Sequence, residues 1–337
     1  MKIIARDLMT NRRPHAQFPD KFNMADHVKE LAVQPNGHRV YEFVGTNDFG
    51  AAWQERQRFE VDAGRDEEPL LYQAIYSEIR DPNLPKNVDI NRIGPGGVVF
   101  DEVLEGGEVK FASVESSEAT VRIRHYGVGL EYSKDLVVFN ELWSVPLVER
   151  QVGIAYNALL NHIHLSPILT AAYTAANQTA FNNTGNSTVE NYLLTIEDAV
   201  TNSRADQTNP RRGPYVLLCS SSDLFTIEKA LTREVQQGLA QQSQTVRNAI
   251  RAVIAYDGWT GTRGNLTTTY AGVSAGTAYL ISLQYQGQDF QSYMKQDLMQ
   301  DGVQQDISRF LTQIVWDTYF GLYANPVAAV EEVTFPS

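Results

Sequence analysis

Residues 49 to 118 constrain the fold more than any other part of this 337-residue chain. Short apolar runs, at 70 to 79 and 97 to 104, alternate there with turn signals such as Asp81-Pro82-Asn83 and Gly94-Pro95-Gly96-Gly97. The segment holds 15 acidic and 7 basic residues, so it carries −8 of the chain's net charge of −12. It cannot form a core of its own, and a structureless loop of this length is improbable inside a compact domain. We therefore expect either disorder or a long two-stranded excursion that rests on another surface.

The composition narrows the class of protein. A hydrophobic content of 43% excludes wholesale disorder. The charge of −12 argues against a protein that grips nucleic acid with its whole surface, because phosphate binding needs clustered cations. Cys219 is the only cysteine, which excludes an intramolecular disulfide framework and a cysteine-built metal site. The first residues lack an apolar core of signal-peptide length, and this predicts a protein made and used in the cytosol.

Residues 151 to 189 contain no Lys, Arg, Asp or Glu. Polar residues interrupt the run, which never reaches about 18 consecutive apolar residues, so we predict a buried helix rather than a membrane span. Pro146 suits the first position of this helix, which should reach about residue 176. Pro167 should kink it. One apolar face is predicted from the three- and four-residue spacing of Val148, Val152, Ala155, Leu159 and Ile163.

Residues 120 to 132 precede this helix and alternate polar with apolar residues as far as 126, the pattern of a half-buried strand. Residues 136 to 143 are expected to form a short helix. Beyond the uncharged run, Ser187-Thr188-Val189-Glu190 is a capping box at the start of a helix. A strand is predicted at 214 to 219.

The following residues predict a mixed α/β subdomain. Ser222 should cap a helix that ends at Gly238, and a strand is expected at 250 to 256. Residues 259 to 277 are expected to be a Gly/Thr-rich loop. The strand predicted at 279 to 285 would turn at Gln286-Gly287-Gln288 into 290 to 295.

The C-terminal residues, 305 to 335, are rich in β-branched and aromatic side chains and predict closing strands. Asn325-Pro326 should interrupt them, and residues 327 to 335 should form the last strand.

Two histidines and one serine cluster are the strongest candidates for chemistry. His162 and His164 are two residues apart on a predicted helix, about 200° around its axis, so both rings cannot face one ion. We expect buried or interface histidines instead. Ser220-Ser221-Ser222-Asp223 lacks the Gly-x-Ser-x-Gly frame of a nucleophile turn, and a helix cap accounts for it.

Neither phosphate-binding motif, G-x-x-x-x-G-K-[ST] or G-x-G-x-x-G, is present in its required context. Gly94-Pro95-Gly96-Gly97 has no following helix to cradle a phosphate. The carboxylate pairs Glu67-Glu68 and Asp101-Glu102 have no hydrophobic pocket to separate their pKa values, and we expect a solvated, mutually repelling surface. The sequence therefore predicts no catalytic residue, no cofactor-binding residue and no metal ligand, and a protein that is not an enzyme.

The order of the segments is a basic N-terminal arm, a long acidic excursion, a strand, a long uncharged helix, a mixed α/β subdomain and closing strands. This order resembles the major capsid protein of tailed double-stranded DNA bacteriophages, whose fold is shared with encapsulin shells. The resemblance covers nearly the whole chain, as an order of elements rather than as a diagnostic motif. It implies an α+β phage capsid-like fold. The implied parts are an N-terminal arm at 1–48, an extended β-hairpin loop at 49–118, a peripheral domain with a long spine helix at 119–186 and 301–337, and a mixed α/β axial domain at 187–300.

The resemblance also implies a function. The chain would self-assemble through hexamers and pentamers into an icosahedral shell that encloses double-stranded DNA without sequence-specific binding. Scaffold, portal and decoration proteins would be further partners, without a membrane, and the protein would be found in the virion and, during assembly, in the host cytoplasm. A Lys–Asn crosslink known in some members is not predicted, although Lys86 and Lys110 lie in the excursion.

Elementary physics supports the same interpretation. An N-terminal arm and an excursion that cannot bury apolar surface within one chain must bury it between chains, as happens in obligate interfaces of roughly 2,000–5,000 Å². We expect the basic arm to meet the acidic excursion of a neighbour. The arm carries, among other residues, the cations Lys2, Arg6, Arg12, Arg13, Lys21 and Lys29.

Three alternatives remain open at this point. The first is an encapsulin-type nanocompartment shell that binds a cargo peptide. The second is a cytosolic α+β hydrolase with an acidic lid formed by residues 49 to 118. The third is a tail or baseplate protein that assembles into rings or tubes.

Overall fold

The computed structural model describes residues 47–92, 117–133, 145–206, 210–232, 243–263, 265–284, 286–306 and 311–336. Contacts divide the chain into two units, Met1–Pro69 with Tyr132–Asn157 and Leu70–Glu131 with Ala158–Ser337. Several predicted features lie outside the described residues. They are the arm through residue 46, the turn at 94–97, the pair at 101–102, Lys110, the helix at 136–143 and the helix end at Gly238.

The first unit contains helix α1 (Asn47–Glu67) and the first part of helix α2 (Val145–Thr170). We expected disorder or a two-stranded excursion from residue 49, and this is wrong for the residues of α1. A Cβ atom added to Gly64 would lie 2.0 Å from the carbonyl oxygen of Arg150, and one on Gly153 would lie 2.1 Å from that of Val61. The two helices therefore approach backbone to backbone. This packing gives α1 a tertiary partner, which its charge balance did not reveal.

Helix α2 begins one residue before Pro146, as predicted, and ends at Thr170, about six residues earlier than expected. Its buried face differs from the predicted apolar face: Val148 is 44% exposed, whereas Asn157, Asn161 and His164 are buried. The spacing of apolar residues could not predict this face, because its side chains are polar and are buried with hydrogen-bonding partners. Within the described residues, no helix is both long and apolar enough to cross a membrane.

The second unit contains a four-stranded sheet in the order β1-β11-β12-β4. Its strands are β1 (Ser77–Arg80), β11 (Phe290–Asp306), β12 (Leu311–Ala324) and β4 (Arg124–Ser133). Strand β11 runs antiparallel to β12 and parallel to β1.

Two expectations about these strands are wrong. The predicted turn at Gln286-Gly287-Gln288 lies in a short helix, α6 (Gln286–Asp289), and β11 pairs with β12 rather than with the strand before it. The strand predicted from 120 to 132 is divided at Ile123. Residues before it form β3 (Ser117–Arg122), which pairs with β2 (Asn87–Arg92), and residues after it form β4.

A five-stranded sheet in the order β5-β13-β10-β6-β7 forms the centre of the mixed α/β part. Its strands are β5 (Gln178–Thr179), β13 (Val330–Thr334), β10 (Thr277–Ser282), β6 (Tyr215–Cys219) and β7 (Ile250–Ala255). The predicted strands at 214–219, 250–256 and 279–285 are confirmed. Strand β10 is buried on both faces, because it lies in the middle of the sheet.

Helices α3 (Thr188–Ala205), α4 (Ser221–Thr232) and α5 (Ser243–Ala249) accompany this sheet. Residues of α3 and α4, such as Ile196 and Ile227, pack with the strand residues Tyr215 and Leu217 in one buried cluster. The predicted cap at Ser187 is confirmed, because Glu190 N donates to Ser187 Oγ at 3.3 Å. The Glu190 carboxylate accepts from the backbone N–H of Asn186, one residue before the cap, at 3.0 Å.

The loop predicted at 259–277 is largely a two-stranded antiparallel ribbon, formed by β8 (Gly258–Arg263) and β9 (Leu266–Ala271). Its many threonines are β-branched and favour strands, a preference that outweighed the glycines.

The tail is interrupted at Asn325-Pro326, as predicted, but the short helix α7 (Pro326–Ala329) precedes the last strand. That strand, β13, belongs to the five-stranded sheet, whereas β12 belongs to the four-stranded one. The grouping of residues 301–337 with 119–186 therefore does not match the sheet membership of β13. Strand pairing between distant segments is not encoded in local periodicity, so the sequence did not show this division.

Candidate assembly surfaces and the contacts that hold them

The β2–β3 ribbon is the two-stranded part of the described residues at the predicted excursion, which agrees with the second of the two expectations, a two-stranded excursion rather than disorder. The chain leaves along β2 to Arg92 and returns along β3 from Ser117. In the register of the pair, Val88 lies opposite Val121 and Ile90 opposite Ala119, so one face is apolar. On the other face Thr120 Oγ1 donates to Asp89 Oδ1 at 3.0 Å. The ribbon therefore has one apolar and one polar face.

The root of this ribbon is fixed on the four-stranded sheet. Ile90 and Val121 are buried in a cluster with Tyr293 of β11. Lys295 Nζ donates to the carbonyl oxygen of Leu84 at 2.6 Å. A Cβ atom on Gly321 of β12 would lie 2.9 Å from the backbone oxygen of Arg122, so the strands approach at a distance that only glycine permits. The first residues of the ribbon are therefore packed firmly against the four-stranded sheet.

A buried ion pair joins the edge of the five-stranded sheet to its neighbours. Arg211 Nη2 lies 2.7 Å from Glu331 Oε2, and both side chains are almost fully buried. Thr179 Oγ1 donates to the other carboxylate oxygen of Glu331 at 2.7 Å, and Arg211 Nη1 lies 3.6 Å from Asp206. Burial raises the pKa of Glu331, while Thr179 and Arg211 oppose this rise. The network holds β5, β13 and the end of α3 together.

His164 lies in an aromatic pocket of the second unit. Its Nδ1 is 2.7 Å from the carbonyl oxygen of Leu160, and its Nε2 is 2.8 Å from Ser292 Oγ. Since a carbonyl can only accept, Nδ1 carries the proton and Nε2 accepts from the serine hydroxyl. The ring stacks on Tyr72 at 3.8 Å, and Tyr76 donates to the backbone oxygen of His164 at 2.6 Å. Burial lowers the pKa of His164 to about 4.

His162 has different neighbours. Its ring stacks on Tyr270 of the β8–β9 ribbon at 4.3 Å, and partial burial lowers its pKa. The two histidines therefore have separate environments, and the prediction of a buried histidine is confirmed for His164. Among the residues that the structure describes, no three His, Cys, Asp or Glu side chains group as a metal site would require.

The Ser220–Asp223 cluster starts helix α4. Asp257 Oδ1 accepts hydrogen bonds from Ser220 Oγ at 3.2 Å and from the backbone N–H of Ser221 at 2.9 Å, and bonds of this kind lower the pKa of Asp257. Asp223 accepts from Gly276 N at 2.8 Å. The interpretation as a helix start is confirmed. Its position is corrected, because Ser222 lies inside the helix and Ser220 precedes it.

The Glu67-Glu68 pair is not the repelling surface that we expected. Glu67 forms an ion pair with Arg150 of α2. The backbone oxygens of Glu68 and Arg65 each accept a hydrogen bond from Asn157 Nδ2 at 2.7 Å, and burial raises the pKa of Glu68. This end of α1 is thus capped by a side chain of α2. Lys86 is exposed.

The sequence analysis did not predict the role of the polar residues of α2, which form hydrogen bonds with the backbone of distant segments. Asn157 caps α1, and Asn161 Oδ1 accepts from the backbone N–H of Leu71 at 2.8 Å. A signal was present, because Asn157, Asn161 and His164 lie four and three residues apart and so share one helix face. We had counted them as interruptions of an apolar helix.

Several large apolar side chains are exposed in the described residues. The most exposed are Phe225 of α4 at 70%, Leu266 of β9 at 60% and Leu147 of α2 at 57%. The opposite face of α4 is buried, through Ile227 and Leu231. Scattered exposed apolar residues are common, but these lie on separate elements and are candidate contacts with other chains.

Comparisons with known proteins identify the fold. No protein-family model matches this sequence, and a comparison with curated proteins found no match. Solved structures match over most of the chain. The mature capsid of bacteriophage PhiM1 is 13% identical, with a TM-score of 0.54, and the match covers 79% of this chain and 87% of that one.

Two further solved structures match this chain to a similar degree. The virus-like particle from Pyrococcus furiosus has a TM-score of 0.52 at 9% identity, covering 83% of this chain and 98% of that one. The capsid of Myoviridae phage XM1 has a TM-score of 0.52 at 10% identity, covering 80% and 92%. The α+β chain described above therefore has the fold shared by these phage capsid proteins and the archaeal virus-like particle.

Proposed function

We propose that this protein is a major capsid protein that assembles with copies of itself into a closed shell. The observation that carries the proposal is the structural match with two phage capsids and a virus-like particle, which extends over 87 to 98% of their chains. Assembly also accounts for exposed apolar side chains on several separate elements.

The parts of the chain take the following roles in this proposal. Residues 1–48 form the arm, and the extended loop, which the sequence predicted at 49–118, begins only after α1, at the β2–β3 ribbon. The sequence predicts a peripheral domain at 119–186 and 301–337, with α2 as its spine, and an axial domain at 187–300. We change this division in one respect: β11 goes with the four-stranded sheet to the peripheral part, and β5 and β13 go with the five-stranded sheet to the axial part, because the strands of each sheet share hydrogen bonds.

The extended loop provides contacts between subunits. Its described root has an apolar face anchored on the four-stranded sheet, and its continuation, residues 93–116, contains five acidic residues and one basic residue. The basic arm of a neighbouring copy complements this charge. Hexamers and pentamers formed in this way build an icosahedral shell that encloses double-stranded DNA, with scaffold, portal and decoration proteins as additional partners.

The protein on this proposal is structural and not an enzyme, and it resides in the virion after assembly in the host cytoplasm. An encapsulin-type shell is the second candidate, favoured by the match to the Pyrococcus furiosus particle. A hydrolase with a lid at 49–118 is disfavoured, because the structural matches over most of the chain are to phage capsids and a virus-like particle.

Negative-stain microscopy and light scattering of the purified chain test the proposal. Closed shells tens of nanometres wide are expected, and a stable monomer or dimer would contradict the shell function. Open tubes or stacked rings would favour a tail or baseplate protein. Particles purified from the natural source should contain nuclease-protected DNA. A folded protein cargo instead of DNA would favour the encapsulin-type shell.

Charge reversal tests the contact between the arm and the loop. Arg12→Glu with Arg13→Glu should reduce the yield of shells, because it places like charges against the acidic loop. Lys229→Glu with Arg124→Glu is the control, since it makes the same change in net charge at exposed positions elsewhere. Equal yields from the two double variants would contradict an arm–loop contact.

A further inference from the structure

A surface cleft of about 730 Å³ lies at one end of the five-stranded sheet. It is lined by Arg204, Arg212, Gly213, Pro214, Asn248 and Ala249. Strands β6 and β7 are parallel, and their first residues, Tyr215 and Ile250, are register partners. The cleft therefore lies where two neighbouring strands begin, beside the end of α3. Its volume is within the range of ligand sites, about 300–1,000 Å³.

Two guanidinium groups reach this cleft from fixed backbone positions. Arg204 lies in the last turn of α3, and its Cζ is 6.0 Å from the ring centroid of the buried Tyr215. Arg212 N donates to Gln284 Oε1 at 3.0 Å, and the backbone oxygen of Arg212 accepts from Ser282 Oγ at 2.5 Å. Both arginine side chains are exposed. The scaffold is thus rigid, while the charges remain accessible to a ligand.

None of the described residues that line the cleft carries a carboxylate, and two further arginines lie beside its lining residues in the chain. Arg247 precedes the lining residues Asn248 and Ala249 in the chain, and Arg251 follows them, and both arginines are exposed. The neighbouring Asp206 pairs with the buried Arg211. Within the described part of the chain, none of these four exposed arginines takes part in an ion pair. This concentration of positive charge is unusual in a protein of net charge −12.

The chemistry of the cluster favours phosphate. All four cations are arginines, whose planar forks bind phosphate oxygens through paired hydrogen bonds, and the Asn248 amide adds a neutral donor. Two arginines that line an open cleft, with two more beside its lining residues in the chain, suit a ligand that carries repeated charges. We propose that this cleft binds the phosphate backbone of a nucleic acid, without reading its sequence.

The proposal rests on the proposed shell function only for the source of the nucleic acid, which would be the enclosed DNA. Binding needs a local cluster and not a basic surface overall, because the favourable free energy comes from counterions released at the phosphates that are contacted. A competing role exists for Arg204, since a cation at a helix C-terminus stabilises the helix dipole. That role predicts a loss of stability without a loss of phosphate binding.

Fluorescence anisotropy with a labelled 20-nucleotide thymidine strand tests the proposal on the full-length protein. Arg204→Gln with Arg212→Gln should weaken binding about tenfold or more at low salt and reduce the slope of log Kd against log salt by about 1.4, because each phosphate contact on a single strand contributes about 0.7. Arg124→Gln is the matched control, an exposed arginine on β4 outside the cleft. It should change the affinity less than twofold.

Competitors identify the source of the anion. Unlabelled oligonucleotide should displace the probe at lower concentration than pyrophosphate or ATP. A peptide of residues 99–109 that bound the cleft while the oligonucleotide did not would assign it to an acidic segment of another chain and overturn the proposal. An unchanged affinity in the double variant, or an equal loss in the control, would overturn it as well.

Hydrogen exchange of the unaltered protein gives a readout that does not depend on the variants folding. The oligonucleotide should protect backbone amides within 204–215 and 246–251, and the absence of protection there would refute the site. Microscopy and binding measurements on the unaltered protein separate the two proposals. Unaltered shells that do not bind the oligonucleotide contradict only the cleft, whereas an unaltered chain that binds it but forms no shells contradicts only the shell function.

Discussion

The burial of His164 predicts that acid destabilises this protein. The folded pKa is about 4, below the ordinary value of 6.5, because burial disfavours the charged ring. The unfolded chain therefore binds the proton first, and the free energy of unfolding falls as the pH drops from about 6.5 towards 4. At 1.36 kcal/mol per pKa unit, the loss is about 2 kcal/mol at pH 5 and about 3 kcal/mol below pH 4.

Urea unfolding of the full-length subunit at pH 7.5 and pH 5.0 measures this loss. His164→Gln should be less stable than the unaltered protein at pH 7.5, because it loses the stacking on Tyr72 and both ring hydrogen bonds. It should nevertheless lose about 2 kcal/mol less on acidification, since the residue that takes up the proton is gone.

His125→Gln serves as the control, because this half-exposed ring on β4 contacts Asp317 and Tyr319 rather than His164 or its neighbours Tyr72 and Tyr76. It should keep the greater part of the acid-induced loss. His162→Gln should remove a smaller share than His164→Gln, as its ring is less buried. If His164→Gln and the unaltered protein lost equal stability between the two pH values, the assignment of the acid sensitivity to His164 would be refuted.

Three further substitutions test separate features of the structure. Gly321→Ala should lower the free energy of unfolding by about 1–3 kcal/mol in urea, because its Cβ would collide with the ribbon backbone, whereas Gly287→Ala, with open space around it, should change little. Arg211→Met should cost about 3–5 kcal/mol in the same assay by leaving the Glu331 carboxylate buried without its partner, and a loss below 1 kcal/mol would contradict the buried pair. Phe225→Ser should leave the urea midpoint unchanged and lower the shell yield seen by microscopy, and an unchanged yield would remove this side chain from the proposed contacts.

The long helix shows why sequence periodicity predicted the elements better than their surroundings. The uncharged run and Pro146 indicated where α2 lies, because these signals are local. The prediction of its buried face was wrong, because Asn157 and Asn161 form hydrogen bonds with backbone groups of residues about 90 positions away. A polar side chain is buried only if a partner is present, and the sequence alone does not show the partner.

The candidate cleft was missed for a related reason. Its lining residues belong to two chain segments, 204–214 and 248–249, which parallel pairing of β6 and β7 brings together. No motif links them in the sequence. The overall charge of −12 even argued against a nucleic-acid surface, because a sum over the chain conceals a local cluster.

The sequence by itself determined the position of α2 behind Pro146, the strands β6, β7 and β10, the capping of α3 at Ser187 and the break at Asn325-Pro326. These follow from signals carried by residues close in the chain. Only the tertiary structure decided that Asn47–Glu67 is a helix packed through Gly64 and Gly153, and that β12 and β13 enter different sheets. Those outcomes depend on close packing and hydrogen bonds between distant segments, which come into existence only when the chain folds.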